Sequence, residues 1–455
     1  MTRLKIHMVG VGGISMRGLA SYFQEQGHTV TGCDVANVKV AGLSVRHGHN
    51  SSHITADVNQ VIINAAITPS STGWSEVLTA EKLGIPVIKR AAAIGEITRE
   101  RPTVAVSGTH GKSTTTGMIA TIMLAAGRDP FVMVGAEVPA FHRRTYHAGS
   151  GPFILEADEF DRSFHQFASD LAVVTNIDRD HLDYYTGDLP EIISAFAGFF
   201  RLIKPGGKLV APRHDVAVAQ AIGESGLTTS QILTFGRDGE ADYQIIDQGT
   251  EKQVNQFRLR RSAGEIVVDL HVPGLFNQLN ATAAIIVADL ADIPIATTKL
   301  ALAKYRGLGR RFEILLDTPA TTIITDYGHH PVEIEQTLRA ARTYYPGRRL
   351  VVVFQAHQYA RTNFFSKDFI RVLAEADLAV MTDIFAVTGR EEDHYIEAPA
   401  LAAAITSING EQARYLAVPE LVAGLADVVR PQDIVLFMGA GGDIDHLAHQ
   451  FAKVM

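Results

Sequence analysis

Two short runs carry the residues best suited to chemistry. Ser107-Gly-Thr-His-Gly-Lys112-Ser113-Thr-Thr-Thr places glycines, a lysine and a serine between an apolar run and a helical pattern. A turn of this kind aims backbone N–H groups at phosphate, and the following helix N-terminus adds partial positive charge. Lys112 has the reach for β- and γ-phosphates, and the Ser113 hydroxyl suits Mg²⁺. The spacing departs from the standard phosphate loop, which needs glycine where this chain has Val106. The second run, Glu156-Ala-Asp-Glu159-Phe-Asp161, sets four acids after apolar PFIL. Alone it reads as a solvated acidic turn. Beside a phosphate loop, its hard oxygen donors suit Mg²⁺.

Four further motifs end on apolar, strand-like runs. Asp178-Arg-Asp-His181-Leu-Asp183 follows VVTNI and puts His181 where α/β proteins build their sites, at a strand's carboxyl end. Asp326-Tyr-Gly-His-His330-Pro and Gln355-Ala-His-Gln-Tyr-Ala-Arg361-Thr do the same further on; either alone reads as turn and cap chemistry. Gly10-x-Gly12-Gly13 approaches the dinucleotide fingerprint and misses it, because Ser15 stands at the third glycine position. Such a turn still accepts a pyrophosphate. A nicotinamide-dependent dehydrogenase is the reading it invites, but that leaves the 107–113 loop and the last third of the chain unexplained.

The elements that must position these residues recur in three blocks. LKIHMVGV, a helical stretch from Ser15 to Gln26, TVTGCDV, VIINAAI and IPVIK form the first. TVAVS, the long helical run after Lys112, LAVVTNI and ISAFAGFFRLI form the second, followed from about 231 to 272 by short alternating runs that predict small antiparallel strands. TTIITDY, LVVVFQ, LAVMTDIF and DIVLFMGA form the third. Strands alternating with helices predict parallel sheets. The expected architecture is α/β in three domains: 1–100 Rossmann-like, 101–309 a central phosphate-loop domain with a parallel sheet plus small antiparallel strands, and 310–455 Rossmann-like.

The chain has 455 residues, 46% of them hydrophobic and 20% charged, enough apolar material for several cores. Its net charge of −8 and lack of a lysine/arginine block argue against nucleic acid and membrane surfaces as partners. The single cysteine, Cys33, closes no internal disulfide, which predicts a reducing, cytoplasmic setting.

Taken in order, HMVGVGGISMRGLA, VSGTHGKSTTT, LEADEFDRSF, VTNIDRDHLDYY, FNQLNATAA, GLGRRFE, TDYGHHPVEI, QAHQYART and FMGAGG resemble the Mur ligases of peptidoglycan synthesis nearly end to end. The resemblance implies ATP-driven amide formation, with Mg²⁺ as cofactor: ATP phosphorylates the lactyl carboxylate of UDP-N-acetylmuramate, and the amine of L-alanine displaces phosphate. It implies an ATP site of Gly108, Thr109, His110, Gly111, Lys112, Ser113, Thr114, Asn277, Arg311 and Asp326. Lys112, Glu156 and His181 take the catalytic positions, and Ser113, Glu156 and His181 those of the metal. Gly12, Gly13 and Asp34 fall where UDP docks; Tyr327, His329 and Arg361 fall where the muramoyl and amino-acid portion is held. The expected state is a monomer or weak homodimer.

Three departures stand out. Gln358 occupies the place of an arginine that would pair with the incoming carboxylate, Phe276 replaces the histidine before Asn277, and the terminal loop reads Gly439-Ala-Gly-Gly442-Asp443 with one extra glycine. No lysine lies between 182 and 203, in keeping with the alanine-adding branch, which lacks a carbamylated lysine. The alternatives are a ligase recycling a whole murein tripeptide, the same reaction on glycine or L-serine, a folylpolyglutamate-synthase-like ligase, and a UDP-sugar-binding regulator without catalysis.

Overall fold

The computed structural model describes residues 3–40, 42–180, 184–185, 188–237, 239–251, 253–386, 396–410 and 413–455. The chain forms two compact units, one of Met1–Asp178, Leu189–Tyr243 and Ala283–Thr298, the other of Arg179–Asp188, Gln244–Thr282 and Lys299–Met455.

The first unit contains two sheets. Strands β1 (Lys5–Val9), β2 (Thr29–Asp34), β3 (Ser44–His47), β4 (Gln60–Ile63) and β5 (Val87–Lys89) line up in the order β3-β2-β1-β4-β5, all parallel. VIINAAI yields a strand only as far as Ile63, because the Asn64 amide turns back to donate to the Gly10 carbonyl at 3.1 Å. The second sheet is built from β6 (Thr103–Ser107), β7 (Phe131–Val138), β8 (Arg144–Ala148), β9 (Phe153–Glu156), β10 (Ser169–Val174), β11 (Ile203–Pro212) and β12 (Ile232–Gly236). Within this unit they run β12-β11-β10-β6-β9-β7-β8. Only β8 is antiparallel to its neighbour. Every residue of β6 is buried, which is why it reads as a near-continuous apolar run. Helix Leu189–Phe200 covers the sheet through Ile192, Ile193, Phe196 and Phe200, at the three- and four-residue spacing of one helix face.

In the second unit, β13 (Tyr243–Glu251), β14 (Val254–Arg261) and β15 (Gly264–Leu270) form an antiparallel meander. The prediction for 231–272 therefore holds from β13 onward, whereas β12 pairs in parallel with β11. Strands β16 (Glu313–Asp317), β17 (Thr321–Asp326), β18 (Leu350–Phe354), β19 (Leu378–Met381), β20 (Ala413–Tyr415) and β21 (Asp433–Met438) make the last sheet, ordered β16-β17-β21-β18-β19-β20. Its central strands are buried on both faces, between a cluster around Ile334, Leu338 and Phe369 and another around Leu425, Leu447 and Phe451. Among the described residues no helix is long and apolar enough to cross a membrane.

Candidate active site

In the first unit, the phosphate loop leaves β6 and enters helix Lys112–Ala125 through Gly111, whose φ of 85° is left-handed. Gly108 has a φ of 125°, and a Cβ there would fall 2.1 Å from Thr175 Oγ1. Only glycine fits that approach. The segment after β10 props the loop from behind. Thr109 N–H donates to the Asn176 carbonyl at 3.1 Å, His110 N–H to Asn176 Oδ1 at 3.0 Å, and the Thr175 hydroxyl to the His110 carbonyl at 2.5 Å. Asp178 N–H donates to Thr109 Oγ1 at 2.8 Å.

The amides of Thr109 and His110 are thus engaged within the protein. The first intrahelical bond runs from Thr115 N–H to the Gly111 carbonyl, so the amides of Lys112 and Ser113 have no carbonyl one turn below them. These two form the anion-seeking end of the loop. Thr175 and Asn176 lie inside the VVTNID run, where their polar types at a strand end were the available signal.

Lys112 Nζ donates to both carboxylate oxygens of buried Glu159, at 2.9 and 3.1 Å, and to the Gly108 carbonyl at 2.7 Å. Burial opposes the ammonium, but the Glu159, Asp158 and Glu156 carboxylates outweigh it and push the amine above its usual range. Glu156, ending β9, accepts Gly135 N–H at 2.6 Å. Ser113 is buried in the helix's first turn. A hydroxyl and carboxylates are the hard oxygen donors that Mg²⁺ prefers, so these residues fit the ion. His181 lies outside the described residues.

At the N-terminal glycine loop, Asp34 accepts Gly12 N–H at 2.8 Å and Ala36 N–H at 2.9 Å. A Cβ on Gly12 would sit 2.7 Å from Asp34 Oδ2. Gly13 starts the helix Ile14–Glu25, and Arg17 Nε holds the Gly12 carbonyl at 2.8 Å. Asp34 therefore shapes this turn.

In the second unit, Asp326 is buried and accepts Phe312 N–H and Gly328 N–H, each at 2.7 Å. Burial dominates and pushes its carboxyl up to about 6, against the pull of Arg311 and the two N–H donors. The Tyr327 ring lies 4.8 Å from the Arg311 guanidinium and 4.9 Å from that of Arg310. Arg310 also ties the terminal glycine loop, donating to the Gly439 and Gly441 carbonyls at 2.7 and 2.8 Å. His329 packs edge-on to Tyr327, and burial pushes its imidazole down to about 4. Arg361 pairs with Asp180 at 2.7 Å, and both side chains are buried. Asp180 belongs to the run that carries His181, a partnership no spacing rule predicts.

Asn277 is buried at the start of helix Leu275–Leu290, where its side chain donates to the Pro273 carbonyl at 2.7 Å and accepts from Asn280 at 3.2 Å. Its neighbour Phe276 packs against the last domain's core, which accounts for an apolar ring there. Gln358 caps helix Tyr359–Phe364 with a φ of 69° and ψ of 134°, a conformation costly for any residue but glycine. Its carbonyl accepts the amide and hydroxyl of Thr362, and its amide donates to Phe385.

Three family domains match in sequence: the Mur ligase family catalytic domain over 5–102, the Mur ligase middle domain over 106–288 and the Mur ligase glutamate ligase domain over 310–441. A UDP-N-acetylmuramate–L-alanine ligase of Halorhodospira halophila is 37% identical over 96% of this chain and 91% of its own length. A second, from Acidithiobacillus ferrooxidans, is 38% identical over 99% and 97%. Among solved structures, the UDP-N-acetylmuramate–alanine ligase of Thermotoga maritima superposes with a TM-score of 0.82 at 26% identity, covering 99% of both chains.

Proposed function

The chain belongs to the Mur ligase family, and on that premise we propose that it is an ATP-dependent amide ligase joining L-alanine to UDP-N-acetylmuramate in peptidoglycan precursor synthesis. Near-full-length similarity to ligases of that name carries the choice of substrates. The observation that carries the chemistry is Lys112, an ammonium held by the Glu159 carboxylate at the head of a helix, where the amides of Lys112 and Ser113 have no carbonyl one turn below them.

A carboxylate resists attack by an amine until one oxygen becomes a leaving group. The lactyl carboxylate attacks the γ-phosphorus of ATP, the bond to the β-bridging oxygen breaks, and ADP leaves. The amine of L-alanine then adds to the acyl carbon, loses a proton, and expels phosphate carrying an oxygen of the original carboxylate. Two anions meet in the first step, and fixed positive charge lowers that barrier. Lys112 and the amides of Lys112 and Ser113 supply it from this chain, with Gly108 and Gly111 shaping the loop around Thr109, His110 and Thr114. Ser113 and Glu156 are the residues that would hold Mg²⁺, with His181 assigned by resemblance; the ion supplies charge neutralisation on the phosphates.

We assign UDP to the turn of Gly12, Gly13 and Asp34 within 1–100, ATP to 101–309 with Asn277, and further nucleotide and substrate contacts to Arg311, Asp326, Tyr327, His329 and Arg361 in 310–455. Labelling both carboxylate oxygens of UDP-N-acetylmuramate with ¹⁸O tests the route. One label is expected in the released phosphate, and unlabelled phosphate alongside amide product would refute the acyl-phosphate step.

A further inference from the structure

A second cluster of chemically capable side chains lies in the first sheet, away from the phosphate loop's residues. In β1 and β2, His7 aligns with Thr31 and Val9 with Cys33. Side chains alternate along a strand, so His7 and Cys33 share one face. Helix Trp74–Lys82 packs on that face through Val77 and Ala80, and its first turn brings in Glu76. The turn Ser51–His53 adds His53, and His49 precedes it.

Glu76 is fully buried, and its ion-pair partners among the described residues are all histidines: His53 at 2.5 Å, His49 at 3.2 Å and His7 at 3.9 Å. Cys33 Sγ lies 3.1 and 3.2 Å from the two carboxylate oxygens. Buried carboxylates are found paired with cations or on metals. The telling atom is His7 Nε2. Its ring is 1% exposed, its Nδ1 meets Thr31 Oγ1 at 2.9 Å, and that hydroxyl also reaches the Ile6 carbonyl. This arrangement puts the ring proton on Nδ1 and leaves Nε2 as a lone pair. Among the described residues Nε2 has no hydrogen-bond partner, and it faces Glu76 Oε1 at 3.9 Å, acceptor to acceptor.

We propose that His7, Cys33, His53 and Glu76 bind one zinc-type divalent cation, which ties β1, β2, the 51–53 turn and helix Trp74–Lys82 together behind the N-terminal glycine loop. One ligand atom from each of the four lies within 4.8 Å of the others. A tetrahedral zinc sphere with bonds of about 2.0–2.3 Å has edges of roughly 3.3–3.8 Å, so the widest pair draws in by up to about 1.5 Å while His53 and Glu76, now 2.5 Å apart, open by just under an ångström. Two imidazoles, a thiolate and a carboxylate give the mixed set that selects zinc over Mg²⁺. The charges also close, since one thiolate and one carboxylate neutralise a divalent ion in a buried place. Burial and nearby positive groups hold the His7 imidazole neutral, the form that ligates. Gly10 and Val11 N–H both donate to the Cys33 carbonyl, and Asp34 follows it, so the cation would stiffen the turn from below.

Cobalt titration of the full-length, chelator-treated protein tests this. Cys33 is the chain's only cysteine, so a thiolate-to-cobalt charge-transfer band reports this place alone, whatever cobalt does at oxygen sites. The band is expected to saturate at one Co²⁺ per chain, to disappear on adding one equivalent of Zn²⁺, and to be absent from Cys33→Ser. His53→Gln keeps the thiol and is expected to bind Co²⁺ at least about tenfold more weakly. A folded wild-type protein without the band at stoichiometric Co²⁺ would overturn the proposal. So would His53→Gln titrating like wild type. Should Cys33→Ser misfold, the wild-type and His53→Gln titrations still decide.

Discussion

The Lys112–Glu159 pair separates what the loop needs to fold from what it needs to react. Glu159 is 2% exposed and its cation is Lys112. Lys112→Ala takes the ammonium away from a buried carboxylate, and breaking a buried pair from one side costs roughly 3–5 kcal/mol. The lysine end keeps some solvent contact, 14% of its side chain, which places the cost at about 3 kcal/mol. Glu159→Gln in the same chain removes the buried charge and is expected to return most of that loss. Activity follows a different rule. Removing a charge donor from a transition state costs about 10²–10³ in rate. Lys112→Ala and the double variant are therefore both expected to lose ligation by at least about a hundredfold, although the double variant regains stability. Thermal unfolding and phosphate release on the same preparations read the two effects. Recovery of activity together with stability would show Lys112 to be structural, and the phosphate-loop reasoning would fail.

Other consequences follow from single contacts. Gly12→Ala drives a methyl to 2.7 Å from Asp34 Oδ2, so affinity for the UDP-sugar is expected to fall at least about tenfold with ATP binding kept; unchanged UDP-sugar affinity by calorimetry would count against the assignment. Arg361→Ala breaks the buried pair with Asp180 from one side and is expected to cost about 3–5 kcal/mol, whereas Arg361→Met with Asp180→Leu costs less; additive losses in that cycle would contradict a buried ion pair. Asp326 rises from 3.8 to about 6 on folding, so its contribution is full at acid pH and is lost as pH rises through about 6, up to roughly 3 kcal/mol. The stability of wild type relative to Asp326→Asn should therefore fall, by up to roughly 3 kcal/mol, from about pH 4 to 7, with the opposing His329 effect common to both; a constant difference refutes this. Gln358→Arg is expected to add a charge-assisted contact to the acceptor carboxylate, worth about 1.5–3 kcal/mol, so KM for L-alanine should fall at least about tenfold while kcat holds; an unchanged KM would show that Gln358 is remote from the acceptor.

Much of this was legible in the residues because the signals are local. A glycine pair around a strand-to-helix turn, with lysine and serine at the helix start, specifies an anion site whatever the surrounding fold. Apolar runs such as TVAVS and LVVVF give buried parallel strands for the same reason. Tertiary partnerships were not legible. Asn176 braces the loop across 66 residues of sequence, and Asp180 meets Arg361 across 181. The fate of Asp34 shows the difference: the fingerprint places an acid there, but only the folded turn shows it committed to the amides of Gly12 and Ala36. The hairpin of β7 and β8 was passed over, since FVMVGAEV carries no turn dipeptide to mark its return. The three histidines around Glu76 come from β1 and from the 49–53 segment, and nothing in the spacing joins them to Glu76 or Cys33.

The central claim is tested most directly by product mass from Mg-ATP and UDP-N-acetylmuramate with L-alanine, glycine, L-serine and the murein tripeptide supplied one at a time. Phosphate release coupled to a UDP-N-acetylmuramoyl-alanine product is expected, with L-alanine preferred over the other three acceptors. Tight UDP-sugar binding with no amide product from any acceptor would contradict it.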